Sequence, residues 1–217
     1  MTNLLREWVK AIGFPKLIFI ITLLLILVWS GPNLAIPQAD SLDYFLLEII
    51  RRWIPDSLGP PLAFIYQLSG TQFTGLLVIS LLFFLIFKRF WADFICLFFG
   101  TAGILFIIDR ILKPWFDRPR PDTSSLILTG SSFPSGHAAG SMVFYFMSCI
   151  LLATHYPKLR KPFFVISSLW VSLIWLSTIY CGAHWPSDVI AGASVGFVWL
   201  SMCLAGLRVL KSNKRLP

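Results

Sequence analysis

The sequence predicts an all-α, multi-pass membrane protein with six transmembrane helices. Of its 217 residues, 57% are hydrophobic and only 13% are charged, and charge-free runs long enough to cross a bilayer recur along the chain. A soluble domain of this size has no interior large enough to bury so much apolar surface. No polar stretch is long enough to fold independently, so residues 1–217 are predicted to form one membrane-embedded domain.

Six apolar segments each approach the length that a spanning helix needs once their flanks are counted. Between the first and the second, residues 44–54 form an amphipathic stretch that is too short and too charged to span. We predict an interfacial helix there, although a loop helix packed on the bundle fits the pattern equally well. Gly192 and Gly196 in the last segment indicate close helix packing. The six segments lie at residues 17–30, 73–87, 90–108, 138–154, 162–183 and 189–207.

The basic residues are divided unevenly between the two sides of the membrane that six spans define. Twelve of the eighteen Lys and Arg fall at residues 1–16, 88–89, 155–161 and 208–217, on the side of both termini. The positive-inside rule places that side in the cytoplasm. We expect a multi-pass protein of a bacterial inner (plasma) membrane. The net charge of +8 therefore belongs to the cytoplasmic loops, and nucleic acid is not expected as a partner. The opposite loops face the periplasm or exterior, and they contain three clusters of reactive residues.

The first cluster follows the third predicted span and contains Lys113, Arg118 and Arg120, interleaved with prolines and aromatic residues. Proline restricts the backbone and so holds these cations in place. Anionic lipid headgroups are one ligand for such a cluster. Positive charge on the outer side nevertheless opposes the topological bias, and a bound phosphate accounts for it, because a guanidinium binds phosphate through two hydrogen bonds.

The second cluster, residues 131–137, immediately precedes the fourth predicted span. Ser135 and Gly136 are small enough for backbone N–H groups to face an anion at the start of the helix. His137 then stands at the edge of an anion site, with helix capping as the alternative role. A serine hydrolase is disfavoured, because Ser135 lacks a Gly-x-Ser-x-Gly sequence around it.

The third cluster joins the fifth and sixth predicted spans and contains His184 and Asp188, four residues apart. If the intervening turn is helical, both side chains share one face. The carboxylate can then fix one imidazole nitrogen and leave the other free to attack. Such a pair is also half of a zinc site, but only His137 accompanies it on this side, and no metal site is predicted.

Together the three clusters resemble the motifs of the type 2 phosphatidic acid phosphatase superfamily, membrane lipid phosphatases that share a site with vanadium haloperoxidases. The family pattern is Lys, six residues, Arg-Pro; then Pro-Ser-Gly-His; then Ser-Arg, five residues, His, three residues, Asp. The resemblance covers a core of about residues 70–207. The matching positions are Lys113, Arg120-Pro121, Pro134 to His137, Ser177, His184 and Asp188.

The resemblance implies that His184 attacks phosphorus to form a phosphohistidine, with Asp188 orienting it and His137 protonating the leaving oxygen. It implies no cofactor, and it implies a lipid phosphate as substrate: phosphatidylglycerophosphate, phosphatidate or undecaprenyl diphosphate. Membrane lipids are the other expected partners, and no protein partner is predicted. The phosphoryl oxygens are implied to be held by Lys113, Arg120, Ser135 and the Gly136 amide.

One position departs from the family pattern, since Thr178 replaces the arginine of the third motif. Loss of one such donor costs ~10²–10³ in rate at comparable sites, and we expect Arg118 to offset it. Other interpretations stay open: altered substrate choice, an inactive lipid-binding relative, a lipid phosphotransferase using the same histidine, or a six-span transporter. The last is disfavoured because the central spans are nearly free of charge.

Overall fold

The computed structural model describes residues 12–13, 15, 17–23, 42–122 and 128–213. Every regular element within these residues is helical, which confirms the all-α prediction. Residues 17–23 are helical, and the Phe19 ring packs edge-on against Phe197 with the ring centroids 5.7 Å apart. The rest of the predicted first span, and most of the terminal cations, lie outside the described residues.

From residue 42 onward the described residues form seven long helices and two short 3₁₀ helices, Asp56–Leu58 and Pro157–Leu159. The long helices are α1 (Leu42–Trp53), α2 (Gly59–Leu68), α3 (Thr71–Phe87), α4 (Trp91–Phe116), α5 (Gly136–His155), α6 (Arg160–Tyr180) and α7 (Pro186–Asn213).

Four of these helices, α4 to α7, are long and apolar enough to cross a membrane. Helices α2 and α3 pass the same test only as a pair, bent by 51° at the break between them. The described residues therefore support four spans, or five if the bent pair is one broken span. The predicted count of six depends on residues 17–30, most of which lie outside the described ranges, and it stays a prediction.

Helix α4 is longer than the sequence indicated, and this changes the position of Lys113. The third span was expected to end at Ile108, but the helix continues as a π-helix over Ile107–Leu112 and a last α-turn over Lys113–Phe116. The hydropathy pattern ends where Asp109 and Arg110 begin, whereas a helix can extend beyond the hydrocarbon layer. Lys113 is therefore fixed on a helix rather than in a loop.

Helix α5 lies at the centre of the bundle, in contact with α4, α6 and α7. Its contact with α7 depends on the two predicted packing glycines. A Cβ added at Gly192 would collide with the Ser135 carbonyl oxygen, and one added at Gly196 would lie 2.7 Å from that of Ala139. The close packing predicted for these glycines is confirmed.

The outer faces of the helices are apolar, as expected for contact with lipid chains. Phe83 on α3, Phe99 and Phe106 on α4 and Ile166 on α6 are each at least 60% exposed. Such a surface is unfavourable in water and favourable in a bilayer.

Helix α1 corresponds to the predicted helix at residues 44–54, and it packs on α6 and α7. Its inner face buries Asp43 and Leu47, while Phe45 and Trp53 point outward. The Tyr44 ring contacts Trp185, with centroids 4.7 Å apart. The helix itself is confirmed, whereas its position at the membrane interface stays a prediction.

Candidate active site

The turn between α6 and α7 fixes the position of His184. Helix α6 ends in a Schellman motif, in which the N–H of Ala183 donates to the carbonyl of Thr178 (3.0 Å) and that of Gly182 donates to Ile179 (2.9 Å). Gly182 has a φ of +67°, a left-handed conformation that glycine adopts without steric cost. Helix α7 then begins at Pro186. His184 therefore lies between two helix ends, where its main chain has little freedom.

The tautomer of His184 is set by a backbone carbonyl. Its Nδ1 lies 2.8 Å from the carbonyl oxygen of Ser132. Because a carbonyl only accepts, Nδ1 carries the hydrogen and Nε2 keeps its lone pair. Asp188 Oδ2 is 3.6 Å from Nδ1, too far for a hydrogen bond. Ser132 therefore holds the Nδ1–H group, with the Asp188 carboxylate beside it, and the expectation that Asp188 orients the ring stays a prediction.

Burial lowers the pKa of His184 below its ordinary value, and the nearby Asp188 carboxylate opposes part of this decrease. The imidazole is therefore neutral at pH 7. A neutral ring with Nε2 unprotonated is the form that a nucleophile or a general base requires.

Behind His184 lies a buried ion-pair cluster, which we call the rear network: Asp43, Arg118, Ser187 and Asp188. Arg118 Nη1 lies 2.5 Å from Asp188 Oδ1, and Nη2 lies 2.7 Å from Asp43 Oδ2. The other oxygen of Asp188 accepts the N–H of Trp185 (2.8 Å) at the start of α7. Arg118 is 2% exposed, Asp43 5% and Asp188 0%, so the three charged members of the network are buried.

The rear network corrects the role expected for Arg118. Its guanidinium is bound by two carboxylates and lies outside the cavity lining, so it does not replace the family arginine at Thr178. Thr178 is itself buried, and its hydroxyl donates to the carbonyl of Trp175 (2.7 Å). Sequence analysis also missed Asp43, whose signal was a carboxylate on the inner face of amphipathic α1.

In front of His184 the described helices enclose a cavity of about 530 Å³. We call its polar end the front site. The walls beyond it are mostly apolar and come from α3 to α6, with Val78, Leu82, Phe98, Ile104 and Phe144 among them. The front site is formed by Asp109, Lys113, Arg120, Gly136, His137 and His184.

Arg120 extends into the front site and is held there by neutral backbone carbonyl groups. Its Nε, Nη1 and Nη2 donate to the carbonyl oxygens of Gly130 (3.1 Å), Ala183 (2.7 Å) and Ser131 (3.3 Å). Three of the five guanidinium N–H groups are thus used, which leaves two for a ligand. Burial lowers the pKa of Arg120, but the ordinary value is so high that the group stays charged.

Lys113 and the start of α5 approach each other across the front site. Lys113 Nζ lies 2.7 Å from Asp109 Oδ1, and a Cβ added at Gly136 would lie 3.7 Å from the same Nζ. Ser135 is the N-cap of α5, and its Oγ accepts the N–H of Ala138 (3.3 Å). Ser135 is buried and is absent from the residues that line the cavity, so its side chain caps α5, and the expected contact with phosphate stays a prediction. An ammonium and a helix N-terminus therefore converge where an anion would bind.

A second imidazole belongs to the same cavity. His137 stacks on the Tyr66 ring with centroids 4.8 Å apart, and its centroid lies 6.2 Å from that of His184. The two histidines predicted from separate motifs are thus neighbours. Within the described residues, no group of three or more His, Cys, Asp or Glu side chains has the arrangement of a metal site.

Comparison with known proteins agrees with this geometry. The model of the PAP2 superfamily matches residues 94–210. The chain belongs to this superfamily. It is 35% identical over 77 residues to phosphatidylglycerophosphatase B of Bacillus subtilis (strain 168), a match that covers 35% of this chain and 36% of that protein. The alignment thus spans about a third of the curated relative.

Two solved structures resemble this PAP2 protein. One is a transmembrane PAP2-type phosphatidylglycerolphosphate phosphatase from Bacillus subtilis, with a TM-score of 0.78 and 22% identity over 91% of this chain and 98% of that one. The other is LpxE of Aquifex aeolicus, with a TM-score of 0.57 and 25% identity over 76% and 95%. The first likeness shows the fold, and together they confirm a multi-pass membrane protein.

Proposed function

We propose that this protein is a membrane lipid phosphatase in which His184 is the nucleophile. The observation that carries the proposal is the hydrogen bond from His184 Nδ1 to the Ser132 carbonyl. It leaves Nε2 unprotonated, in a cavity that also holds Lys113, Arg120 and a second histidine. A neutral imidazole beside two cations is suited to attack on a phosphoryl group.

The reaction follows from these positions in two steps. In the first, His184 Nε2 forms a bond to phosphorus, the phosphorus–oxygen bond to the lipid breaks, and the leaving oxygen takes a proton from His137. In the second, water attacks the phosphohistidine and gives a proton to His137, and phosphate leaves with His184 neutral again. His137 thus serves as the acid in the first step and as the base in the second.

Charged groups in front of the phosphoryl group and behind His184 support this two-step reaction. Lys113, the two unused N–H groups of Arg120 and the Gly136 amide at the start of α5 are placed to hold the phosphoryl oxygens. The phosphate dianion in turn stabilises the protonated form of His137 that the first step needs. Behind the ring, the Asp188 carboxylate stabilises the positive charge that His184 gains as it is phosphorylated.

The shape of the cavity supports a lipid as the substrate. Cations occupy one end, and apolar side chains from the spanning helices line the rest, so a phosphate can bind at the front site while a lipid chain lies against the walls. We propose phosphatidylglycerophosphate, phosphatidate or undecaprenyl diphosphate, hydrolysed at the outer membrane–water boundary without a metal ion.

Phosphate release by the purified protein in detergent, with EDTA present, tests this function. A panel of lipid phosphates and diphosphates should include at least one substrate, and His184→Ala should abolish release from it. His155→Gln is the matched control, because His155 lies at the other end of α5 and pairs with Asp93 (2.6 Å); it should retain activity. Release that stops in EDTA would overturn metal independence. Phosphate passed to a second lipid without free phosphate would replace the hydrolase by a phosphotransferase.

A further inference from the structure

We propose that Asp43 is a positioning residue for His184, acting through Arg118 and Asp188. The proposal rests on the function proposed above. Asp43 lies on α1, outside the residues 94–210 that match the superfamily model. Its carboxylate is nevertheless buried at 5% exposure, at the rear of the reactive histidine.

The Asp43 carboxylate accepts hydrogen bonds from three donors. Oδ1 accepts the backbone N–H of Ser187 (2.9 Å), and Oδ2 accepts the Ser187 hydroxyl (2.6 Å) and Arg118 Nη2 (2.7 Å). Ser187 is the second residue of α7. Asp43 thus ties α1 both to the start of α7 and to the arginine that binds Asp188.

The orientation of Arg118 depends on Asp43 because Asp43 is the hydrogen-bond acceptor of its Nη2 edge. Nη1 is bound by Asp188 Oδ1 and by the Ser187 hydroxyl (2.8 Å). Nε has no hydrogen-bond partner among the described residues. The face of the guanidinium lies over the Trp185 ring, 5.6 Å from its centroid. Without Asp43, the group would keep this contact and its Nη1 bonds, but no hydrogen bond would hold its Nη2 edge or fix its orientation against Asp188.

Asp43 also determines the charge of the rear network. Two carboxylates and one guanidinium sum to a single negative charge, buried where it is poorly screened. That charge stabilises the cationic ring of phosphorylated His184, and an asparagine at position 43 would remove it. The remaining groups that face His184 are on the cavity side: Arg120, His137 and, further along, the pair of Lys113 and Asp109.

The pH profile of kcat/KM separates this role from a structural one. In Asp43→Asn, the acid limb of the profile should move to lower pH by about half a unit, the shift produced by one charge roughly 10 Å away at an effective dielectric constant of about 40. The limb moves to lower pH because the loss of the Asp43 charge disfavours the protonated, cationic form of His184. The value of kcat should fall about tenfold, the size of effect seen for partners behind metal-ligating side chains, with little change in KM.

Two single variants are matched controls. Ser187→Ala removes the bridging hydroxyl but no charge, so it should leave the acid limb in place. Glu48→Gln removes one negative charge from the exposed face of the same helix, and its profile should match that of the wild type. If Asp43→Asn keeps the wild-type profile, or if it loses activity without a shift of the limb as Ser187→Ala does, the proposal is overturned.

The double variant Asp43→Asn/Arg118→Gln tests the sign of the charge effect in any folded protein that can be recovered. It removes one charge of each sign and leaves the single negative charge of Asp188, so its acid limb should lie at or above the wild-type position. A limb at lower pH than wild type would contradict the charge argument.

A readout independent of turnover separates failure of this proposal from failure of the proposed function. Diethyl pyrocarbonate acylates neutral imidazole, and the pH dependence of its reaction at His184, followed by mass spectrometry, reports protonation of that ring. The midpoint should shift to lower pH in Asp43→Asn even if no lipid proves to be a substrate. An unmoved midpoint would overturn the role of Asp43, whatever the wild-type activity.

Discussion

Arg118 and Arg120 are two residues apart, yet they belong to different regions of the molecule. Arg118 lies in the rear network, where two buried carboxylates use its charge. Arg120 lies in the front site, where carbonyl oxygens hold it and leave its charge for a ligand. We infer from the comparison that the partners of a guanidinium decide its role: ionised partners neutralise Arg118 within the fold, whereas neutral partners leave the charge of Arg120 available to a ligand.

Arg118→Ala should reduce stability more than any substitution in the front site. It leaves the carboxylates of Asp43 and Asp188 buried without a cation, a situation that costs about 3–5 kcal/mol. The apparent unfolding midpoint in detergent should therefore fall sharply, and little folded protein should be recovered. A variant as stable as the wild type would show that the rear network does not hold the fold together.

Lys113→Met removes a cation from the front site. It should reduce activity strongly and stability little, the reverse of Arg118→Ala. The Lys113 ammonium pairs with Asp109, whose side chain is 51% exposed, so the unfolding midpoint should change little. The value of kcat/KM for a lipid phosphate should fall about 10²-fold, because one donor to the phosphoryl oxygens is lost. If stability fell as in Arg118→Ala, or if activity were unchanged, the division between the two regions would be wrong.

Gly192→Ala tests the packing that joins the two regions. An added Cβ would collide with the carbonyl of Ser135, next to the Gly136 amide in the front site. We expect a loss of about 1–3 kcal/mol in unfolding free energy, together with lower activity. Gly140→Ala in α5 is the control for stability, since a Cβ there meets no atom within 4 Å. Equal stability of both variants would contradict the close packing.

Asp109→Asn should give the smallest effect, confined to binding. Removing this carboxylate releases the Lys113 ammonium and reduces repulsion of a phosphate in the cavity. A single charge at about 4 Å in water is worth about 1 kcal/mol, so KM should fall about two- to fivefold while kcat stays nearly constant. A rise in KM, measured on the same lipid phosphate, would show instead that Asp109 positions Lys113.

The front site was more predictable from sequence than the rear network, for a physical reason. Lys113, His137 and His184 each lie at or near a helix end, so local spacing already places them on one side of the membrane, and the structure brings them to one cavity. The partner of Arg118, by contrast, is 75 residues away on α1, and no local pattern links them. Ser132 contacts His184 through its backbone carbonyl, a group that every residue type carries, so the sequence contains no signal for this contact.

The limits of the spans were predicted less well than their existence. Hydropathy ended the third span at Ile108, whereas α4 continues through a π-helix to Phe116. The apolar pattern reports where lipid ends, while backbone hydrogen bonding decides where a helix ends. The predicted segment around residue 44 was recovered as α1, but its connection to the rear network depended on tertiary contacts.

The most direct test of His184 as the nucleophile is to trap the phosphorylated protein by rapid quenching during turnover of a labelled lipid phosphate. We predict an acid-labile, base-stable phosphate on His184, found by mass spectrometry in the wild type and absent from His184→Ala. Turnover without phosphate on the protein, or phosphate that persists on His184→Ala, would contradict this mechanism.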